Sequence, residues 1–193
     1  QVAGIWDNSG RVSTWSLDTC RKRLGLIKHG DEVSDVAVSP DGRWIASCSL
    51  DGTLAIHSSS DGKLHQNLSG SKAKLQCLSF RPDSQHVAAG SHAGEVFVWM
   101  VADGTRQPSV ADVGTEVIFR LAWTPDGKRL ASAHGDGRLV VRQPGDPGAL
   151  ITLEGHRDGA LSVCFHPHTG ELISSSFDHT IRMWPFPNTS RPR

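Results

Sequence analysis

Residues 155–184 read GHRDGALSVCFHPHTGELISSSFDHTIRMW. A Gly-His pair precedes an alternating apolar run. A Pro-containing turn, a Ser-rich run, an Asp turn and a short apolar segment ending in Trp184 follow. His156, Ser174, Asp178 and Trp184 each bring a hydrogen-bonding group, at offsets that let them join one line.

The same stretch recurs upstream in worn form. Val36, Leu78, Leu121 and Val163 align with steps of 42, 43 and 42 residues, and Pro40, Pro82, Pro125 and Pro167 keep those steps. So do the turn positions Asp51, Ala93, Asp136 and Asp178. A fourth column, Trp15, His57, Trp99, Arg142 and Trp184, adds an earlier partial copy. Four columns in one register make the chain a repeat protein.

Each unit alternates with period 2, as in ALSVCF, LQCLSF and RLAW, and no segment sustains a 3.6 period. Pro40-Asp41-Gly42 and Pro125-Asp126-Gly127 suit turns in which Pro fixes φ and Gly accepts positive φ. Asp51-Gly52 and Asp136-Gly137 are hairpin signals. The expected architecture is all-β and a single domain over 1–193, with about four short strands per unit. The units are 1–27 (partial), 28–68, 69–111, 112–153 and 154–193 (partial). The first lacks an opening strand. The last ends in PFPNTSRPR, whose prolines lack the ladder donor.

Composition narrows the function classes. Lys+Arg 20 balances Asp+Glu 20, so no net field draws the chain to nucleic acid or an anionic membrane. No apolar run approaches the ~18 residues of a membrane span, and QVAGIWDNSG has no signal-peptide pattern. Cys20, Cys48, Cys77 and Cys164 show no CxxC spacing. Three of them lie in apolar runs and read as small buried hydrophobes, in a reducing compartment. The expectation is a soluble protein of the cytoplasm and nucleus.

The columns resemble those of the WD-repeat β-propeller family over essentially the whole chain, with GH at Gly155-His156 and the strand-ending Trp at Trp15, Trp99 and Trp184. The resemblance implies about five blades, three whole and two partial, belonging to a fragment of a ring of about seven. It also implies that His156 lies in the loop leading into its blade, Ser174 on the second strand, Asp178 in the next turn and Trp184 on the third strand. Such a set ties strands together and satisfies buried polar groups. Segments 49–64, 81–99 and 124–137 are further similar to the WD-repeat subunit shared by the Ski (superkiller) RNA-decay complex and the RNA polymerase II-associated Paf complex. Ser91-His92-Ala93-Gly94-Glu95-Val96 approximates that subfamily's THxGKV-like turn.

His156, Ser174 and Asp178 are also the residue types of a hydrolase triad. Their graded repetition argues for reinforcement of individual blades. Unit 28–68 keeps His29, Ser47 and Asp51 with His57 for Trp. Unit 112–153 keeps Ser132 and Asp136 with Gly114 and Arg142, and unit 69–111 keeps only Trp99. His166-Pro167-His168 has no third ligand at metal spacing, and no phosphate loop occurs. Lys22, Arg23, Lys72, Lys74, Arg129 and Arg138 are scattered over different units, and Arg191-Pro192-Arg193 reads as a frayed tail. No metal, cofactor, catalytic residue or direct nucleic-acid contact is expected.

The family likeness places two sets on one rim of the channel. These are Leu50, His92, Gly135 and Phe177 before the turn Asp, and Asp35, Gln76, Phe119 and Arg120 at the start of the first strands. Leu50, Phe119 and Phe177 are apolar where solvent is expected, which marks protein docking, with inter-blade packing the competing reading for Phe119. The expected function is a non-catalytic scaffold holding peptide segments of other proteins, in a Ski- or Paf-type complex. An adaptor of an unrelated complex such as a ubiquitin ligase, or a propeller hydrolase, is the alternative.

Overall fold

In a computed structural model the chain forms five antiparallel sheets in sequence order. The structure describes residues 2–6, 10–16, 18–69, 73–108 and 116–185, the side chains of 2–6, 27 and 147–149 excepted. Sheet I holds β1 (Val2–Trp6), β2 (Arg11–Ser16) and β3 (Lys22–Lys28), and sheet II β4 (Val33–Val38), β5 (Trp44–Ser49), β6 (Thr53–Ser58) and β7 (Leu64–Ser69). Sheet III holds β8 (Leu75–Phe80), β9 (His86–Ser91) and β10 (Val96–Met100). Sheet IV holds β11 (Ile118–Trp123), β12 (Leu130–His134), β13 (Leu139–Gln143) and β14 (Asp146–Leu153). Sheet V holds β15 (Ala160–Phe165), β16 (Leu172–Ser176) and β17 (Ile181–Trp184). Among the described residues there is no helix. Sheet III has three strands plus a single bridge from Trp99 to Arg106. Asp7, Lys72, Gly114 and Arg191-Pro192-Arg193 lie outside the described residues.

The sheets stack because each has two apolar faces, which only neighbouring sheets can bury. β4 packs on β8, β8 on β11 and β11 on β15, so the first strands run side by side along the inside of the stack. Between II and III, Cys48, Leu54, Ile56 and Leu68 meet Leu78, Phe80, Phe97 and Trp99. Cys77, Ala88, Val96 and Val98 meet Ile118, Leu121, Trp123 and Leu130 between III and IV. Ala131, Ala133, Leu139 and Val141 meet Val163, Leu172, Phe165 and Trp184 between IV and V. Each fully buried Leu, Val or Phe stabilises the stack by about 1.5–3 kcal/mol.

Sheet V ends this series with a bare face. Ile181 is 75% and Met183 61% exposed, whereas their register mates Leu139 and Val141 are 0% and 1% exposed. Cys164 shares that face, so the expectation that it is a buried hydrophobe is corrected: Cys48 and Cys77 are buried, but Cys164 is exposed because no described element covers its sheet.

Two backbone features recur. The first strands slip register between Val33/Asp35, Leu75/Cys77, Ile118/Arg120 and Ala160/Ser162, which leaves Ser34, Gln76, Phe119 and Leu161 as bulge residues. Bulges re-aim side chains, and here they do so at one end of every inner strand. The turn after the second strand demands positive φ, met by Gly52, Gly94 and Gly137 but by His179 (φ 65) in sheet V.

Candidate functional site

In sheet V the four singled-out residues form a directional relay. The Trp184 indole N–H donates to Ser174 Oγ at 2.9 Å. Ser174 Oγ lies 2.8 Å from His156 Nε2, and His156 Nδ1 lies 3.0 Å from Asp178 Oδ2. Ionised Asp178 can only accept, so Nδ1 carries the imidazole proton, Nε2 accepts, and the Ser174 hydroxyl points at the ring. Thr180 donates to Asp178 Oδ1 at 2.6 Å and the Arg157 backbone N–H to Oδ2 at 3.0 Å. The Thr180 bond first, then the Arg157 and His156 bonds, hold the Asp178 carboxyl well below the usual carboxylate range.

These are hydrolase-triad distances, but the surroundings are not those of a nucleophile. Ser174 is 2% exposed, and its oxygen already accepts the Trp184 indole N–H. A carbonyl cannot reach it. The relay ties the β16–β17 hairpin to the loop before β15, satisfying polar groups that would otherwise be buried unpaired.

Sheet II repeats the relay with one substitution and one insertion. His29 Nε2 meets Ser47 Oγ at 2.8 Å, but Nδ1 meets Thr53 Oγ1 at 2.9 Å, and Thr53 passes the bond to Asp51 Oδ1 at 2.6 Å. Asp51 Oδ2 is 3.9 Å from the ring and accepts the Gly30 N–H instead. Burial works against the Asp51 charge, yet the Thr53 and Gly30 bonds keep its carboxyl below the ordinary range. His57, 1% exposed, stands where sheet V has Trp184. Burial lowers the His29 imidazole, with Asp51 opposing. Burial, then His29, lowers the His57 imidazole to about 4.

Sheet IV improvises. Arg142, 2% exposed at the Trp position, donates from Nη2 to Ser132 Oγ at 3.2 Å. His134, from β12 itself, brings Nε2 to the same oxygen at 2.8 Å. Burial and then Arg142 press the His134 imidazole down to about 4. Asp136 instead holds Arg138, Nε to Oδ2 at 2.7 Å. In sheet III Trp99, 2% exposed, stacks on Phe97.

Sequence reasoning missed Thr53, Thr180 and His134. The threonines carried a signal: each lies two residues beyond the turn Asp in the two units that keep the His, while Glu95 and Arg138 occupy that place elsewhere. His134 carried none, because its column mates Ser49, Ser91 and Ser176 bond the following turn.

The rim residues form three local groups. Gln76 Oε1 meets His92 Nε2 at 2.6 Å in sheet III. Asp35 accepts the Val36 N–H at 2.9 Å and the Leu78 N–H at 3.0 Å, with Arg120 Nη1 3.6 Å away, so it links sheets II, III and IV. Phe119 and Phe177 meet edge to face between IV and V, their centroids 6.1 Å apart. Phe119 is half-buried there beside Gly135, Phe177 is 51% exposed, and Leu50 stands half-buried at the far end. His166 Nδ1 accepts the Thr169 N–H at 3.1 Å, and no metal-binding group of three occurs among the described residues.

Residues 19–58, 59–100, 112–142 and 148–185 match the WD domain, G-beta repeat family. The chain belongs to the WD-repeat family. The matched repeats 19–58, 59–100 and 148–185 begin at or near an outer strand and end on the third strand of the next sheet, one strand out of phase with the sheets themselves. WD repeat-containing protein SL1-17 of Schistosoma mansoni is 30% identical over 95% of this chain and 57% of its own length. Small ribosomal subunit protein RACK1y of Oryza sativa subsp. japonica is 31% identical over 72% of this chain and 42% of its own. The chain thus spans about half the length of these relatives. A computationally designed protein, Ika8, superposes with a TM-score of 0.84 at 22% identity, over 96% of this chain and 55% of that one, which supports the propeller-like fold alone. WD-repeat proteins generally act as protein-interaction scaffolds.

Proposed function

We propose that this chain is a non-catalytic scaffold that binds peptide segments of other proteins on the rim carrying the four inner-strand bulges. One observation carries the reading. Phe177 holds an aromatic ring half in solvent, braced by Phe119 of the neighbouring sheet and by Gly159 at the start of its own. Exposed, braced aromatics are the side chains that dominate protein interfaces. Affinity capture from cell extract with the wild-type chain and with Phe177→Ala tests it: the captured set should shrink in the variant while the fold persists. An unchanged set sinks the rim assignment.

The finer assignment, to a Ski-type RNA-decay complex or a Paf-type elongation complex acting in cytoplasm and nucleus, rests on the likeness of segments 49–64, 81–99 and 124–137. Mass spectrometry of the captured set decides it. The Ski helicase with its repeat scaffold, or the Paf subunits, supports the assignment. Their absence beside a reproducible other complex, such as a ubiquitin ligase, replaces it with a general adaptor role.

A further inference from the structure

We propose that sheet II is an acid-sensitive element of the stack: below neutrality the buried histidines His29 and His57 open β5 and β6, while sheet V, whose histidine lies on a carboxylate, stays closed. The inference rests on the geometry of the two sheets and not on the docking reading above.

In both sheets the ring donates from Nδ1 and accepts at Nε2, and the distance to the carboxylate sets the difference. Thr53 gives its only hydroxyl proton to Asp51, so His29 must donate from Nδ1, and its Nε2 accepts from Ser47. A second proton on His29 turns Nε2 into a donor and reverses the Ser47 bond inside the core. The nearest carboxylate oxygen is 3.9 Å away and already engaged by Gly30. In sheet V the corresponding distance is 3.0 Å, so charge on His156 is met at once.

His57 compounds the effect. It sits at the Trp position, 1% exposed, within the field of His29, so a charge on either ring opposes charge on the other. The strands packed around the pair bring few charges, and Asp31 and Glu32, in the loop after His29, are exposed and half-buried. β5 has no charged side chain, and β7 brings only His65, which is stacked on Trp44 and bonded to the Val101 carbonyl. On β4, Asp35 is bonded toward sheet III. β2 and β3 of sheet I bring only cations: Arg11, Lys22, Arg23 and Lys28, all exposed.

The sign follows from linkage. The opened chain takes up protons near 6.5 and the closed sheet resists them down to about 4 at His57, so stability is complete above 6.5 and is lost as pH falls toward 4. His57 alone then raises the opening equilibrium about 30-fold between pH 7.5 and 5.0. Lowering of His29 adds in the same direction.

Native-state hydrogen exchange on the 193-residue chain at pH 7.5 and 5.0, corrected for intrinsic rates, reads this directly. Amides of β5 and β6 should lose protection about 30-fold or more, while those of β16 and β17 hold theirs. His57→Trp, which installs the indole of sheet V, should abolish most of the loss. His57→Gln, smaller and unable to titrate, should do the same and keeps the test decisive if Trp does not fit. Equal losses in the two sheets, or a loss undiminished in both variants, overturns the proposal.

Discussion

Sheets V and II hold the same relay positions, and the comparison separates what the relay needs from what it tolerates. Both keep His, Ser, Thr and Asp at matching places. Sheet V ends the line with an indole donor and a directly bonded carboxylate, although one of its faces is bare. Sheet II ends it with a second buried histidine and a carboxylate one threonine away, and its central strands β5 and β6 are buried on both faces. Thus sheet V, with one bare face, keeps a complete hydrogen-bonding line, while sheets II and IV replace parts of it. Buried apolar area and satisfied polar groups are interchangeable sources of stability only until a polar group is left unpaired.

The largest expected effect comes from the middle of the sheet V relay. Ser174→Ala strips the partner from both the Trp184 indole and His156 Nε2, and should destabilise the chain by about 2–4 kcal/mol in urea unfolding followed by circular dichroism. Ser132→Ala is the matched test in sheet IV, where it strips the partner from Arg142 Nη2, at the longer distance of 3.2 Å, and from His134 Nε2, and it should cost somewhat less. Equal losses would mean that the indole adds nothing over the guanidinium.

The next prediction sharpens the contrast between covered and bare faces within one register column. Gly90 lies at the III–IV interface, where an added Cβ meets Ile118 Cγ2 at 2.7 Å and Cys77 Sγ at 2.9 Å. Gly90→Ala should destabilise by about 1–3 kcal/mol through overpacking. Ser175, its mate on the bare face of sheet V, should accept Ala within about 0.5 kcal/mol. Comparable effects at the two sites would mean that the sheet V face is covered in solution.

A smaller, stabilising change tests the turn of sheet V. His179 holds φ 65 where Gly52, Gly94 and Gly137 serve elsewhere. His179→Gly should raise stability by about 0.5–1 kcal/mol by removing left-handed strain, the same substitution type being costly in a helix or strand. A loss of stability would show that the imidazole makes a contact worth more than the strain.

Legibility in the sequence followed the physics of each feature. The 42-residue step, the Pro-Asp-Gly turns and the period-2 runs are local, and the sheets and their order are readable from them. The relay columns were readable because each position recurs. Three things were not. The bulges at Ser34, Gln76, Phe119 and Leu161 leave no compositional mark, since a bulge is a mismatch between two strands and not a property of one. His134 replaces a missing partner from a different column, so alignment hides it. The exposure of Cys164 depends on which element covers its sheet, which no residue in its own strand encodes.

The smallest expected effect on stability bears most on function. Phe177 is 51% exposed and meets only Phe119 and Gly159 among the contacts named above, so Phe177→Ala should change unfolding by no more than about 0.5 kcal/mol. Phe119→Ala removes a half-buried ring from between sheets IV and V and should cost more, although the two rings touch. If the rim is a docking surface, the order reverses in capture experiments: Phe177→Ala loses partner with little loss of stability, because an exposed aromatic contributes to the free chain far less than to an interface that buries it. Stability and binding measured on the same two variants therefore separate a packing pair from a docking pair. Parallel losses in both assays would assign both rings to packing.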